Sequence, residues 1–293
     1  MLSSSECIPW MTVGLAESVA IVTLNLCTII VFISNRNLRK RRTYLAINLA
    51  VIDMFVGGFE AYFLFYLPGV NCNLWKSHSI AYGTFIFLNV FSTFFLIGSL
   101  TNITSIALER VHATFLPFKH RVLKKWVYGL IIAAVWVISG LTSVSFPLFG
   151  FEEIQYSFYL LFTFLSICLL IICVCYTSIV VKVRYGAQPQ HHGAASRERK
   201  LTMTLLIVTV VSLLLCLPTV VFFFLASISK SEVIRSLPIH SRYTTSFLLY
   251  ANSLVNPILY AIRMPEYRSA FLALFRRRGQ QQRQVAVLPL RNM

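Results

Sequence analysis

Long apolar runs separated by short polar stretches set the pattern of this chain. Near 11–34, 43–67, 80–110, 125–147, 157–182, 201–227 and 241–262 apolar residues dominate, each run reaching the roughly 20 residues that a helix needs to cross a hydrocarbon core. The polar stretches between them alternate in charge. Arg36, Arg39, Lys40, Arg41 and Arg42 fall in the first; Arg110, Lys119, Arg121, Lys124 and Lys125 in the third; Lys182, Arg184, Arg197, Arg199 and Lys200 in the fifth; and the tail from Arg263 onward carries the rest of the main basic set. Only Lys76, Lys230, Arg235 and Arg242 lie in the opposite set. Basic residues collect on the cytoplasmic side of a membrane, so this alternation predicts an all-α bundle of seven transmembrane helices with its N-terminus outside.

Composition agrees. The chain is 57% hydrophobic and 12% charged, about half the charged fraction of an ordinary soluble domain. A formal net charge of +16 would suit nucleic-acid binding if it were clustered on one domain; distributed by side, it is a topology signal, and no nucleic-acid partner is expected. Residues 1–10 lack the basic region of a cleavable leader and are expected to be a short extracellular N-terminus, with 11–262 the membrane domain. Tyr267, Phe271, Leu274 and Phe275 keep helical spacing beside basic residues. This predicts an amphipathic helix over 263–278 lying on the inner leaflet, where Arg276, Arg277 and Arg278 meet anionic lipid. Residues 279–293 are expected to be a disordered tail. Of seven cysteines, Cys7 and Cys72 are the two on the oxidising side. A disulfide between them and two free thiols both stay open, because spacing does not establish geometry. The adjacent His191 and His192 read as solvated loop residues, not a metal site.

Several polar residues stand where none is expected. Asp53 is mid-span, where an acid costs about 3 kcal/mol even on permissive scales, so it is a functional position by default. Asn25, Ser99, Asn252, Ser253 and Asn256 lie at similar depth in other spans. They suit either plain interhelical hydrogen bonding or a small wet cavity for a monovalent cation such as sodium. At the cytoplasmic edge Glu109 and Arg110 are neighbours, and a second acid, Glu198, opens the sixth span. Arg110 has a fork of donors for carboxylates and could bridge two helices in a separable contact. Glu60 and Glu17 are the acids in the outer halves of spans. Glu60 is left between a cationic ligand group and a partner such as Arg242.

Together these residues resemble the rhodopsin-like (class A) G-protein-coupled receptors over essentially the whole chain. Asn25, Leu49-Ala50-x-x-Asp53, Trp75, Glu109-Arg110-Val111, Pro117, Trp136, Tyr176, Pro218 and Asn256-Pro257-x-x-Tyr260 match the family's motifs in order. The resemblance implies a sodium and water network of Asp53, Ser99, Asn252, Ser253 and Asn256. It also implies an activation and G-protein coupling set of Glu109, Arg110, Glu198, Tyr176, Pro257 and Tyr260, in which Tyr260 swings inward towards Tyr176 and Arg110. A multi-pass plasma-membrane receptor, a heterotrimeric G protein and an extracellular peptide, lipid or small-molecule ligand follow from it as expectations. Glu60, Ser92, Phe222, Tyr243 and Tyr250 are the expected pocket residues. Beyond a possible sodium ion no cofactor or metal is expected.

The departures are specific. Phe85 stands in place of the third-span cysteine, and the loop near 148–156 has no cysteine. Cys168 replaces a fifth-span proline. The sixth-span motif reads Leu215-Cys216-Leu217-Pro218, without its tryptophan, and Ser212 replaces a phenylalanine one turn earlier. A short second extracellular loop and these absences resemble the melanocortin, adenosine and cannabinoid receptors. Ser92 stands where aminergic receptors carry Asp, and Tyr250 where opsins carry the retinal Lys. A constitutively active or non-signalling receptor homologue is an alternative, as is, from another class, an ion-coupled transporter using Asp53 and Glu60. No nucleophile–base pair or metal-ligand spacing points to an enzyme.

Overall fold

The computed structural model describes residues 4–35, 38, 43–72, 74, 82–150, 154–185, 207, 210–212, 214–222, 224–225 and 239–273. Every regular element among them is helical. Among the described residues five helices are long and apolar enough to cross a membrane: Cys7–Ser34, Thr43–Val70, Ile86–Phe115, Lys125–Ser145 and Tyr159–Tyr185. A shorter apolar helix covers Val210–Phe222, and a further helix of 25 residues covers Ile239–Arg263. That last helix is less apolar for a physical reason. His240, Ser241, Arg242, Asn252, Ser253 and Asn256 all lie on it, and the three at 252, 253 and 256 are buried inside the bundle. The lipid-facing surface is the reverse: Leu141 is 70% exposed and Leu170 is 64% exposed, as suits helices whose outer solvent is hydrocarbon.

The helices run past the expected bounds. The first begins at Ser4, so helix occupies most of the segment expected as a short extracellular N-terminus. The second widens into a π-helical turn at Ala61–Tyr66 and then closes as an α-helix over Leu67–Asn71. Pro68 accounts for the change, because it cannot donate to the Leu64 carbonyl and its ring would clash there; a wider turn absorbs the misfit. Disulfide-bonded Cys7 and Cys72 tie the outer ends of the first two spans together, with 6.5 Å between their Cα atoms.

The third span, Tyr82–Phe115, is the central post and touches the second, fourth and fifth. Three apolar clusters hold the bundle. One joins Leu49, Leu100, Ile103, Ala107, Ile172 and Tyr176 in the inner half. Another joins Ile21, Ile52, Val56, Phe95, Val135 and Tyr250 further out. The last packs Val31, Phe32 and Leu38 on Tyr267, which belongs to a helix over 265–273. Tyr267 also shares a hydroxyl hydrogen bond with Thr28 at 2.8 Å, so that short helix is pinned to the first span. Residues 274–278 of the expected amphipathic helix, including its three arginines, and the tail beyond lie outside the described residues.

Candidate functional site

Asp53 is fully buried, and three hydrogen bonds from two other spans converge on it. Ser99 Oγ donates to Oδ1 at 2.6 Å, Ser253 Oγ donates to Oδ1 at 2.9 Å, and Asn256 Nδ2 donates to Oδ2 at 2.9 Å. A carboxylate held by several donors offsets part of its desolvation cost. The second, third and seventh helices therefore meet at one group. Asn252 is buried beside this cluster, yet its Oδ1 has no hydrogen-bond partner among the described residues. It is the one member of the expected network that the structure leaves off the Asp53 carboxylate.

Asn25 completes the arrangement in a way that Pro257 makes necessary. Proline has no N–H, so the carbonyl four residues earlier loses its helical donor. That carbonyl is Ser253 O, and Asn25 Nδ2 donates to it at 3.1 Å, while also donating to Ile21 O at 3.0 Å. The first span thus satisfies the backbone acceptor that the seventh-span proline releases, and the same Ser253 holds Asp53 through its hydroxyl.

A second polar chain ties the second, third and fourth spans. Trp136 Nε1 donates to Asn48 Oδ1 at 3.0 Å, Asn48 Nδ2 donates to Asn102 Oδ1 at 3.1 Å, and Asn102 Nδ2 donates to Leu45 O at 2.9 Å. Neither Asn48 nor Asn102 is among the positions that the sequence analysis singles out. The signal that could have found this chain was two amides inside apolar runs, each needing a partner.

At the cytoplasmic end Arg110 Nε lies 3.0 Å from Glu109 Oε2. The other Glu109 oxygen, Oε1, is 2.7 Å from His120 Nε2 and accepts from Tyr128 OH at 3.4 Å. His120 sits on the short helix Pro117–Val122 and Tyr128 near the start of the fourth span. Glu109 is therefore gripped by the loop and the fourth span, which sequence reasoning did not foresee. Glu198, the expected second partner of Arg110, lies outside the described residues. Tyr176 is buried with Ala107 in the inner cluster. Tyr260 turns towards Phe32, ring centroids 5.6 Å apart, and Tyr267 at 5.9 Å, so its ring packs at the junction of the first span and the 265–273 helix.

In the outer half, Ser92 and Tyr250 are both buried. Tyr243 stacks on Trp10 at 5.7 Å, and Trp10 Nε1 donates to His240 Nδ1 at 3.0 Å; Phe222 is half-buried. Glu60 requires a correction. Of the two expected partners, a cationic ligand group or Arg242, the second is not met: Arg242 is exposed, and the buried Glu60 carboxyl faces Glu17 of the first span instead. The reason is register: Arg242 lies about two helical turns outward of Tyr250, whereas Glu60 points across the contact between the first two spans. Among the described residues no group of three or more His, Cys, Asp or Glu could hold a metal ion.

Two segments of the chain, 24–157 and 146–260, match the family profile of the 7 transmembrane receptor (rhodopsin family). The chain belongs to the rhodopsin family of seven-transmembrane receptors. Among curated relatives, the mouse neuromedin-K receptor is 25% identical over 90% of this chain, and the chain spans 62% of that receptor's length. The mouse substance-K receptor is 27% identical, over 91% of this chain and 75% of its own. The human substance-K receptor is 26% identical over 91% of this chain and 72% of its own. All three are receptors, not enzymes. The crystal structure of squid rhodopsin superposes with a TM-score of 0.78 at 18% identity, over 94% of this chain and 87% of that one, so the fold is the seven-helix bundle of that structure.

Proposed function

We propose that this receptor sits in the plasma membrane, responds to an extracellular ligand and activates a heterotrimeric G protein at its cytoplasmic face. The observation that carries this reading is the joining of the second, third and seventh spans at Asp53, with Arg110 at the inner end of the same third span. A carboxylate shared by three helices through hydroxyls and an amide is a contact that helix movement can rearrange, and Arg110 sits where such movement would open a groove for a partner helix. In the G-protein reading, Arg110, Tyr176 and Tyr260 line that groove, and Glu198 restrains Arg110 until the sixth helix moves.

The donors around Asp53 fit sodium: one carboxylate, two hydroxyls and the unpartnered Asn252 amide oxygen are hard oxygen ligands. A bound ion would supply positive charge that holds the cluster together. Ligand class is proposed as peptide, lipid or small molecule; the named relatives are receptors for neuromedin K and substance K, and the missing third-span cysteine keeps the melanocortin, adenosine and cannabinoid resemblance beside them. The absent sixth-span tryptophan, with Leu217 in the motif, favours a second reading in which the receptor signals without ligand.

The test is Asp53→Asn, measured in cells for signalling and for transmembrane current. The receptor reading expects sodium to lose its effect on signalling and no current in either form. A sodium current or flux that disappears with Asp53 would replace the receptor with a transporter.

A further inference from the structure

Among the described residues, Glu17 and Glu60 are the two buried carboxyls that the Asp53 network and the cytoplasmic pair leave unused. Glu60 is 0% and Glu17 4% exposed, none of their four carboxyl oxygens has a hydrogen-bond partner among those residues, and each carboxyl acts electrostatically on the other. The register of the first two spans explains why they meet. A Cβ on Gly14 would lie 2.5 Å from Leu64 Cβ, and a Cβ on Gly57 would lie 2.7 Å from Ile21 Cγ2. Residues 14 and 64 therefore touch one turn outward of the pair, and 21 and 57 touch one turn inward. Ser18 Oγ donates to Gly57 O at 2.6 Å on the same face. The pair sits between two places where only glycine fits.

Two ionised carboxylates in that setting would repel strongly, since like charges in a shielded interior are poorly screened. The titratable groups that act on the pair are each other and, from the seventh span, Tyr250. A hydrated metal ion or the head of a ligand needs space that contacts this close deny. We infer that Glu17 and Glu60 form a proton-binding site, two carboxyls sharing one proton, which clamps the outer half of the first span to the second. One O–H on one carboxyl donates to the other, so the pair carries a single negative charge. When the proton leaves to the extracellular water the pair carries two, and the spans are pushed apart. Extracellular pH then acts on the receptor as a ligand would, a consequence for signalling that rests on the receptor reading above.

The experiment uses the full chain in lipid nanodiscs and infrared difference spectra between mildly acidic and alkaline buffer. The wild type is expected to show a protonated-carboxyl C=O band that is lost in alkali. Asp53→Asn should retain the band, and the Glu17→Gln/Glu60→Gln double variant should lack it. The single variants Glu17→Gln and Glu60→Gln keep a hydrogen bond across the interface and should also lose the shared-proton band, which covers the case of a double variant that does not fold. Coincident spectra from wild type and the Glu17 and Glu60 variants would overturn the proposal. So would a band that sodium removes at fixed pH, which would make the occupant a metal ion. A pH step on cells reads the consequence: basal signalling should shift in the wild type and not in the double variant. Because the infrared arm does not depend on signalling, silence in cells with the band present would count against the receptor reading alone.

Discussion

Asn25 shows how much one side chain can carry. It replaces a backbone donor that Pro257 lacks, and in doing so orients the residue whose hydroxyl holds Asp53. Asn25→Ala leaves the Ser253 carbonyl buried without a donor, which costs about 1–3 kcal/mol. Thermal unfolding of the purified receptor should fall accordingly, and an unchanged midpoint would show that water replaces the amide at no cost. At this scale the sequence was legible where chemistry was local: Asp53, Ser99, Ser253 and Asn256 stand out as polar groups at one depth, and three of them reach the fourth. It was opaque where the partner came from a distant turn. Nothing in the spacing of Glu60 says that Glu17 lies opposite, and nothing in Glu109 says that His120 and Tyr128 take its second oxygen, because both depend on how helices are rotated about their axes.

The first and second spans approach each other closely, and the structure gives the cause. Gly57 lets Ile21 in, and Gly14 lets in Leu64, whose own carbonyl has no proline N–H to receive. Gly58, next in sequence, has nothing within 4 Å of a Cβ placed on it. Gly57→Leu should therefore overpack the interface and reduce folded receptor at the cell surface, at a cost of about 1–3 kcal/mol or more, while Gly58→Leu should be tolerated. Surface labelling of both variants checks this; equal expression would mean that the spans can separate without loss. Helix existence was readable from apolar run length. Helix ends were not: the first helix starts at Ser4 because the membrane-length rule marks where hydrocarbon begins, not where backbone hydrogen bonding does. The π-helical turn at Ala61–Tyr66 was equally hidden, although Pro68 was its visible cause.

Across the whole molecule, the polar groups form a column inside an apolar bundle. Ser92 and Tyr250 lie in the outer half, Asp53 and its donors in the middle, and Glu109 with Arg110 at the inner edge, so the third span contributes at every level. That column was foreshadowed by charge sidedness and by the order of motifs along the chain, both of which survive any helix rotation. The central claim is that this column ends in a working contact for a G protein. The most direct test is basal and broadly stimulated G-protein activation in cells expressing the wild type beside Arg110→Ala at matched surface level. The account predicts a wild-type signal that Arg110→Ala abolishes. A wild-type signal left intact by Arg110→Ala would contradict it.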